Sequence, residues 1–330
     1  MSELLRLGII GLGVMGRNHA RVVSRIEGVD LVGGVDPEGD PDRSMSYRPV
    51  FSSFDELLAA GVDAVIVAVP NELHEQVAVR AAAEGLHTLI EKPLGPDFKA
   101  AMRIRDAFAG TGLTATVGHV ERYNPALQEM KRRLAGRAIG RIISIRTVRV
   151  GPYPIRMQDV GVVKDLATHD IDLVLWLGGP LQSLQTHVAR KLGDHEDLLE
   201  AIGVLVDGPI VSMSVNWLTP TKQRSITVLG ESGALHADLL SADLTFYANA
   251  DHETEWDEMA RLKGVSEGNV IRYALRKREP LQAQVEAFRD AILGESLGGP
   301  ANNSGLVSLD DGVEVLRVAD MILDEGEYRS

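Results

Sequence analysis

The 330-residue sequence predicts an α/β Rossmann dinucleotide-binding domain over residues 1–120, then an α+β domain over 121–330 built on an open-faced, mostly antiparallel sheet. Three observations carry this. Short apolar runs alternate with helix-period segments through the first 120 residues. The first of those runs ends in Gly11-Leu12-Gly13-Val14-Met15-Gly16. Beyond that region, long strand-like stretches replace the alternation.

The elements follow in order. Leu5 to Ile10 is a short apolar run, Arg17 to Ile26 is helix-like, and Leu31 to Val35 is a second run. Ser53-Phe54-Asp55-Glu56 has capping-box form and starts a short helix. Ala64 to Val69 is continuously apolar, as a strand buried on both faces should be. Leu73 to Glu84 is helical, Thr88 to Ile90 a strand, Asp97 to Ala109 a helix and Leu113 to Val117 a strand. Strand and helix in repetition imply a parallel sheet with helices on both sides. In the second half, Arg141 to Val150 reads as one long strand, and Asp165 to Leu177 as a helix closed by Gly178-Gly179-Pro180. Four β-like stretches follow at Leu184–Arg190, Ala201–Val206, Ile210–Trp217 and Ser225–Leu229, with Asp207-Gly208-Pro209 favouring antiparallel pairing. Residues 250–280 are polar and carry no clear pattern; Pro280–Leu293 and Asp311–Leu323 are amphipathic helices. There is no internal repeat.

Composition narrows the function classes. Hydrophobic residues at 45% and charged residues at 25% are ordinary for a globular chain. With 34 Lys+Arg against 47 Asp+Glu, the net charge of −13 gives no broad attraction for nucleic acid or anionic membrane. Lys131-Arg132-Arg133 and Arg276-Lys277-Arg278 read as solvated faces. No cysteine is present, so disulfides and thiolate zinc sites are excluded. Met1 to Leu7 lacks a secretory pattern and no apolar run approaches membrane-spanning length, so the cytoplasm is the expected compartment.

The glycine turn follows a strand and opens a helix, the context that gives GxGxxG its meaning. Gly11 permits the tight turn, Gly13 lets backbone approach a pyrophosphate, and Gly16 lets helix pack on strand. The phosphates belong at the helix N-terminus, where free N–H groups and the dipole favour negative charge. Asp36 ends the second strand about 20 residues on, where a carboxylate binds ribose hydroxyls and repels a 2′-phosphate. NAD is therefore favoured, with Arg43 leaving NADP open.

Two further strand ends face the same carboxyl edge. One carries Val69-Pro70-Asn71, the other Glu91-Lys92-Pro93, where Pro93 keeps Lys92 extended. A lysine there can hold a substrate hydroxyl and lower its pKa, or be an ordinary surface residue. Asp165, His169 and Asp172 stand at i, i+4 and i+7, on one helical face. His169 can accept a hydroxyl proton as hydride leaves, with a carboxylate orienting it. The same stripe also suits a metal or plain solvent, though no second cluster points to a metal.

Together with Glu91-Lys92-Pro93-Leu94, Gly118-His119-Val120-Glu121-Arg122-Tyr123-Asn124-Pro125 and Asp165-Leu166-Ala167-Thr168-His169-Asp170-Ile171-Asp172, the glycine turn makes the chain resemble the glucose–fructose oxidoreductase/inositol dehydrogenase/MocA family along nearly its whole length. The resemblance implies a Rossmann domain plus an open-faced sheet domain, assembled as homodimers or homotetramers through the sheet. It also implies that Lys92 is the active-site lysine and that Asp165 and His169 are the DxxxH pair, with His169 the proton acceptor. Cofactor contacts fall at Gly11, Gly13, Val14, Met15, Gly16, Asp36, Pro70, Asn71, Glu91 and Lys92. Paired glycines common upstream of the DxxxH helix are replaced here by Gly161-Val162-Val163-Lys164.

Within the family, Gly118–Pro125 and Arg149–Arg156 are most similar to UDP-N-acetylglucosamine 3-dehydrogenases. That likeness implies a nucleotide-sugar substrate touched by Lys92, Arg122, Tyr123, Asn124, Arg149, Arg156, Asp165 and His169, with Arg149 and Arg156 meeting the diphosphate. The sugar is expected on the open face of the second domain. An inositol or free-sugar dehydrogenase is the alternative. The glycine turn also resembles β-hydroxyacid dehydrogenases, whose second domain is all-helical, and a non-catalytic NAD-binding sensor is a rival of another class.

Overall fold

The computed structural model describes residues 4–154, 160–192, 194–250, 267–294, 305–325 and 327–329. The chain divides into two compact units, residues 1–120 with 279–320 and residues 121–278 with 321–330.

In the first unit, β1 (Leu5–Ile10), β2 (Val29–Val35), β3 (Val50–Phe51), β4 (Ala64–Val67), β5 (His87–Ile90) and β6 (Ala115–Val117) form a sheet in the order β3-β2-β1-β4-β5-β6. Every pairing in it is parallel. The winding reverses between β1 and β4, so the ligand crevice lies outside the carboxyl ends of those strands. Helices α1 (Val14–Val23), α2 (Phe54–Ala59), α3 (His74–Ala83) and α4 (Phe98–Phe108) connect them. Asp97 caps α4 by accepting from Ala100 N at 2.8 Å. Ser53 caps α2 in the same way, but Glu56 returns to Ser52 rather than to Ser53, so the capping box is shifted by one residue.

Helix α7 (Pro280–Leu293), which the sequence groups with the second domain, packs in this unit. Its apolar stripe Leu281, Val285 and Phe288 joins the core formed by Leu5, Leu7, Ile9, Val22 and Val23. Burial of that stripe, rather than proximity in sequence, decides where the helix docks.

The second unit is built on nine strands in the order β14-β13-β12-β11-β7-β10-β9-β8-β15. They are β7 (Ile142–Val150), β8 (Leu181–Ala189), β9 (Leu198–Leu205), β10 (Ile210–Asn216), β11 (Gln223–Gly230), β12 (Gly233–Asp238), β13 (Asp243–Asn249), β14 (Glu267–Arg272) and β15 (Glu327–Arg329). Pairings are antiparallel except β7 with β10 and β8 with β15. The Asp207-Gly208-Pro209 connection joins antiparallel β9 and β10, as its turn residues require. Helices α5 (Pro125–Ala135) and α6 (Thr168–Gly178) belong to this unit, and α8 (Leu309–Glu325) ends the helical part of the chain.

Alternation along β7 assigns the two faces of the sheet. Ile145, Thr147 and Arg149 are buried on the α6 side, while Arg146 and Val148 point away from it. The basic clusters are engaged locally. Lys131 donates to Trp176 O, Arg132 and Arg133 bind Glu129, and Lys277 binds Asp243. Among the described residues no helix is long and apolar enough to cross a membrane, and no group of His, Cys, Asp or Glu could hold a metal.

Candidate functional site

A cleft of about 740 Å³ opens at the carboxyl ends of β1, β2, β4 and β5. Gly11 adopts φ +93°, and a Cβ there would lie 2.6 Å from Ala68 O. At Gly16 a Cβ would lie 1.8 Å from Gly11 O, so helix and turn touch backbone to backbone. A Cβ at Gly13 would meet nothing within 4 Å, which leaves the start of α1 open to an incoming group. These are the conditions for seating a pyrophosphate on a helix N-terminus.

Asp36 lines the cleft, and its carboxylate also orders the loops around it. Oδ2 accepts from Leu12 N at 2.8 Å and Oδ1 from Glu38 N at 2.9 Å. Each carboxylate oxygen keeps a second lone pair for a ribose hydroxyl. Met15, Pro70, Asn71, Glu91 and Lys92 line the same cleft. Asn71 Oδ1 is buried with no protein partner, an acceptor that a bound dinucleotide would satisfy. Val14 and Gly16 do not line it; Val14 is 64% exposed and Gly16 is buried in the turn.

Glu91 also has a structural role. Its carboxylate is buried, with Oε1 2.6 Å from His19 Nε2 and Oε2 accepting from Lys92 N at 3.2 Å. Burial alone would raise its pKa, but the His19 hydrogen bond and the charges of His19 and Lys92 hold it below the usual carboxylate range. An ionised carboxylate only accepts, so His19 Nε2 is the donor. Glu91 thus anchors the Lys92 loop to α1 at the wall of the cleft. His74 does similar work from α3, with Nδ1 2.9 Å from Pro93 O and Nε2 3.0 Å from Val69 O. Burial pushes the His74 imidazole down, against the pull of both carbonyls and Glu91. Lys92 itself, before the cis bond to Pro93, stays half-exposed at the cleft.

Both histidines escaped the sequence reading. His19 shares the buried face of α1 with Gly16, Ala20 and Val23, an i, i+3, i+4, i+7 pattern that marks it as an inward polar group.

In the second unit the DxxxH helix opens with a π turn, Val163–Ala167, before α6 begins at Thr168. Thr168 N reaches back five residues to Val163 O. Gly161, the one glycine retained upstream, is required, because a Cβ there would lie 2.0 Å from the Glu196 carboxyl. Glu196 Oε1 in turn accepts from Val163 N at 3.1 Å and fixes the turn. Val162 and Val163, where paired glycines were expected, are fully buried.

Of the acid–His–acid stripe, only Asp165 and His169 keep exposed surface. Asp172 is buried and bound by Arg122, whose Nη2 lies 2.7 Å from Oδ1, with the guanidinium over the Trp176 ring. Arg149 is 1% exposed, with Nε 2.8 Å from Asp170 Oδ2 and Nη1 3.0 Å from Glu121 Oε1. Burial pushes the Asp170 carboxyl up to about 6, with Arg149 drawing it back. Asn124 caps α5, accepting from Ala126 N at 3.0 Å and donating to Leu239 O at 3.2 Å, and Tyr123 is buried beside it. Arg122, Asn124 and Arg149 are thus tied into the scaffold of this unit. Arg156 lies outside the described residues. Because Asp170 reaches Arg149, the DxxxH helix lies on the face of the sheet that carries Arg149.

A dinucleotide cleft with a lysine at its rim, and a second sheet bearing a helix with an accessible Asp–His pair, define a nicotinamide-dependent oxidoreductase. Residues 5–119 match the oxidoreductase family with NAD-binding Rossmann fold, and residues 127–236 match the GFO/IDH/MocA C-terminal domain. The chain is 30% identical over 291 residues to UDP-N-acetylglucosamine 3-dehydrogenase of Acidithiobacillus ferrooxidans, covering 87% of this chain and 88% of the relative. A solved structure of that relative superposes with a TM-score of 0.82 at 27% identity, covering 98% of each chain. Inositol 2-dehydrogenase 4 of Saccharopolyspora erythraea is 33% identical over 187 residues, 53% of this chain and 54% of its own. A protein of gentamicin A biosynthesis, GenD2, solved in complex with NAD, is 25% identical with a TM-score of 0.78, covering 98% of this chain and 95% of its own. The chain belongs to the Gfo/Idh/MocA family and is an NAD-binding oxidoreductase acting on CH–OH groups. The nine-stranded second sheet excludes the β-hydroxyacid dehydrogenase alternative.

Proposed function

We propose that the enzyme oxidises a secondary hydroxyl of a nucleotide sugar of the UDP-N-acetylglucosamine type. The observation that carries the chemistry is the partial exposure of Asp165 and His169 at the start of the DxxxH helix. Asp170 and Asp172 are buried against arginines, while Asp165, in the π turn, and His169 are partly exposed. The substrate class is supported by the match, over most of both chains, to UDP-N-acetylglucosamine 3-dehydrogenase.

NAD supplies the hydride acceptor when bound; Gly11, Gly13, Met15, Asp36, Pro70 and Asn71 would hold it. The Lys92 ammonium donates to the substrate hydroxyl oxygen and lowers its pKa, with Glu91 and His74 fixing the loop beneath it. His169 takes the hydroxyl proton. Asp165 orients the ring or grips a neighbouring hydroxyl. The same reading places the enzyme in the cytoplasm as a homodimer or homotetramer. The partial match to inositol 2-dehydrogenase favours inositol or a free sugar as a second reading. The test is NADH formation at 340 nm with UDP-N-acetylglucosamine, inositols and free hexoses, each with NAD and NADP. Net NADH from the nucleotide sugar supports the proposal, and turnover confined to inositol transfers it to the second reading.

A further inference from the structure

The Arg149 guanidinium is committed to Asp170 and Glu121, yet its Nη2 is buried without a partner. Its register partner on the neighbouring antiparallel strand is Arg224 of β11. Paired residues on adjacent strands put their side chains on one face about 5 Å apart, so the two guanidiniums emerge together on the α6 side of the sheet. Arg224 is half-buried and has no hydrogen bond or ion pair from its side chain among the described residues. Lys222, exposed two residues earlier, runs its stem past Gly151, 3.8 Å from where a Cβ there would lie. These cations repel one another. Burial and Arg149 push the Arg224 guanidinium down, and Arg224 and burial push the Lys222 ammonium down. Asp165, of the accessible Asp–His pair, is near enough for its charge to act on Arg224. Glu121, Asp170 and Asp165 act on the Arg224 guanidinium from nearby, but among the described residues none is hydrogen-bonded to it, and an anionic ligand would supply that partner.

We propose that Arg224, with Lys222 beside it, is a phosphate-binding element of the substrate site, taking the diphosphate of a nucleoside-diphosphate sugar. This rests on the nucleotide-sugar reading. It replaces the sequence-based choice of Arg149 with the arginine directly across the sheet from it. A guanidinium presents paired N–H donors that match two phosphate oxygens. Arg149 stays behind as the fixed charge against which Arg224 is set.

The experiment is calorimetric titration of UDP, uridine and D-glucuronate into enzyme saturated with NAD, so that UDP cannot occupy the cofactor cleft. Wild type is compared with Arg224→Gln, Arg224→Lys, Lys222→Gln and the control Arg146→Gln, an exposed arginine on the opposite face of the same sheet. Loss of a charge-assisted contact weakens UDP about 10-fold or more in Arg224→Gln, with partial recovery in Arg224→Lys. Lys222→Gln lowers the salt dependence of UDP binding. Arg146→Gln and the uridine titrations stay within about twofold. Equal loss in Arg224→Gln and Arg146→Gln, no UDP binding by wild type at millimolar concentration, or Arg224 dependence confined to glucuronate each overturns the proposal. If Arg224→Gln does not fold, Lys222→Gln decides, because an unchanged UDP affinity and salt slope there also overturns it. Since the titration needs no turnover, Arg224-dependent UDP binding without NADH formation sinks the oxidation of UDP-N-acetylglucosamine alone. NADH formation with unchanged UDP affinity in the variants sinks the subsite alone.

Discussion

His169 and Asp170 are sequence neighbours with opposite surroundings. One keeps accessible surface on the DxxxH face, and the other is sealed against Arg149 inside the sheet domain. General-base assistance contributes on the order of 100-fold or more to turnover, so His169→Ala is expected to lose at least ~100-fold in kcat. Its NAD affinity, measured by fluorescence titration, should be unchanged, because the cofactor cleft contains no α6 residue. Near-normal turnover would remove His169 from its role. Asp170 carries a pH signature instead. Its folded pKa of about 6 lies above the ordinary value of 3.8, so the folded state holds a proton that the unfolded state releases. Stability from this group is therefore full in acid and falls as pH rises from about 4 to 6. Asp170→Asn keeps the shape and does not titrate. The melting temperature of the variant minus that of wild type should rise across this interval and level off by about pH 7. A flat difference would mean that Asp170 is ionised throughout.

Among elements, the glycine turn separates two effects that a motif treats as one. Gly13→Ala adds a methyl into open space, so the melting temperature should hold while the KM for NAD rises about 10-fold or more through lost phosphate contacts. Gly16→Ala drives a Cβ into Gly11 O, forcing helix from strand, and should cost about 1–3 kcal/mol in thermal unfolding as well as cofactor binding. Equal melting temperatures for the two variants would contradict the turn geometry. These roles were legible in the sequence because each depends on residues within a few positions of one another. The same holds for the parallel strands and for Asp36. What stayed hidden depends on distant partners. Nothing near Arg149 announces that Asp170 and Glu121 will neutralise it, and nothing near Asp172 announces Arg122. Helix α7, which begins at Pro280, docks on a core whose first strand begins at Leu5. Strand β12 escaped because Gly-Ala-Leu-His-Ala-Asp alternates through small residues, so Leu235 and Ala237 give a faint apolar period although both are fully buried.

At the scale of the whole molecule, the side of the second sheet away from α6 poses a question of cover. One cross-strand row runs Val204, Ile210, Ser144, Leu229, Ala234, Tyr247 and Val270, from β9 across to β14. Ile210, Leu229, Tyr247 and Val270 in that row are 40–57% exposed. The next row, Ile202, Ser212, Arg146, Thr227, His236, Thr245 and Arg272, is mostly polar. A contiguous apolar band bordered by polar residues is the pattern of an interface, whereas singly scattered apolar residues would need no explanation. A two-fold axis through such a band buries the same residues from each copy, giving the self-complementary contact of a homodimer. Leu229→Asp places a carboxylate in the middle of the row at an already exposed position, so the far-UV spectrum should match wild type while the assembly weakens. Size-exclusion chromatography with light scattering should show wild type as a dimer or tetramer at about 50 μM and the variant shifted towards monomer. Because the folded assembly binds only to itself, the wild-type melting temperature should rise with protein concentration and that of the variant should not. A wild-type monomer at that concentration would leave this band without the partner proposed for it.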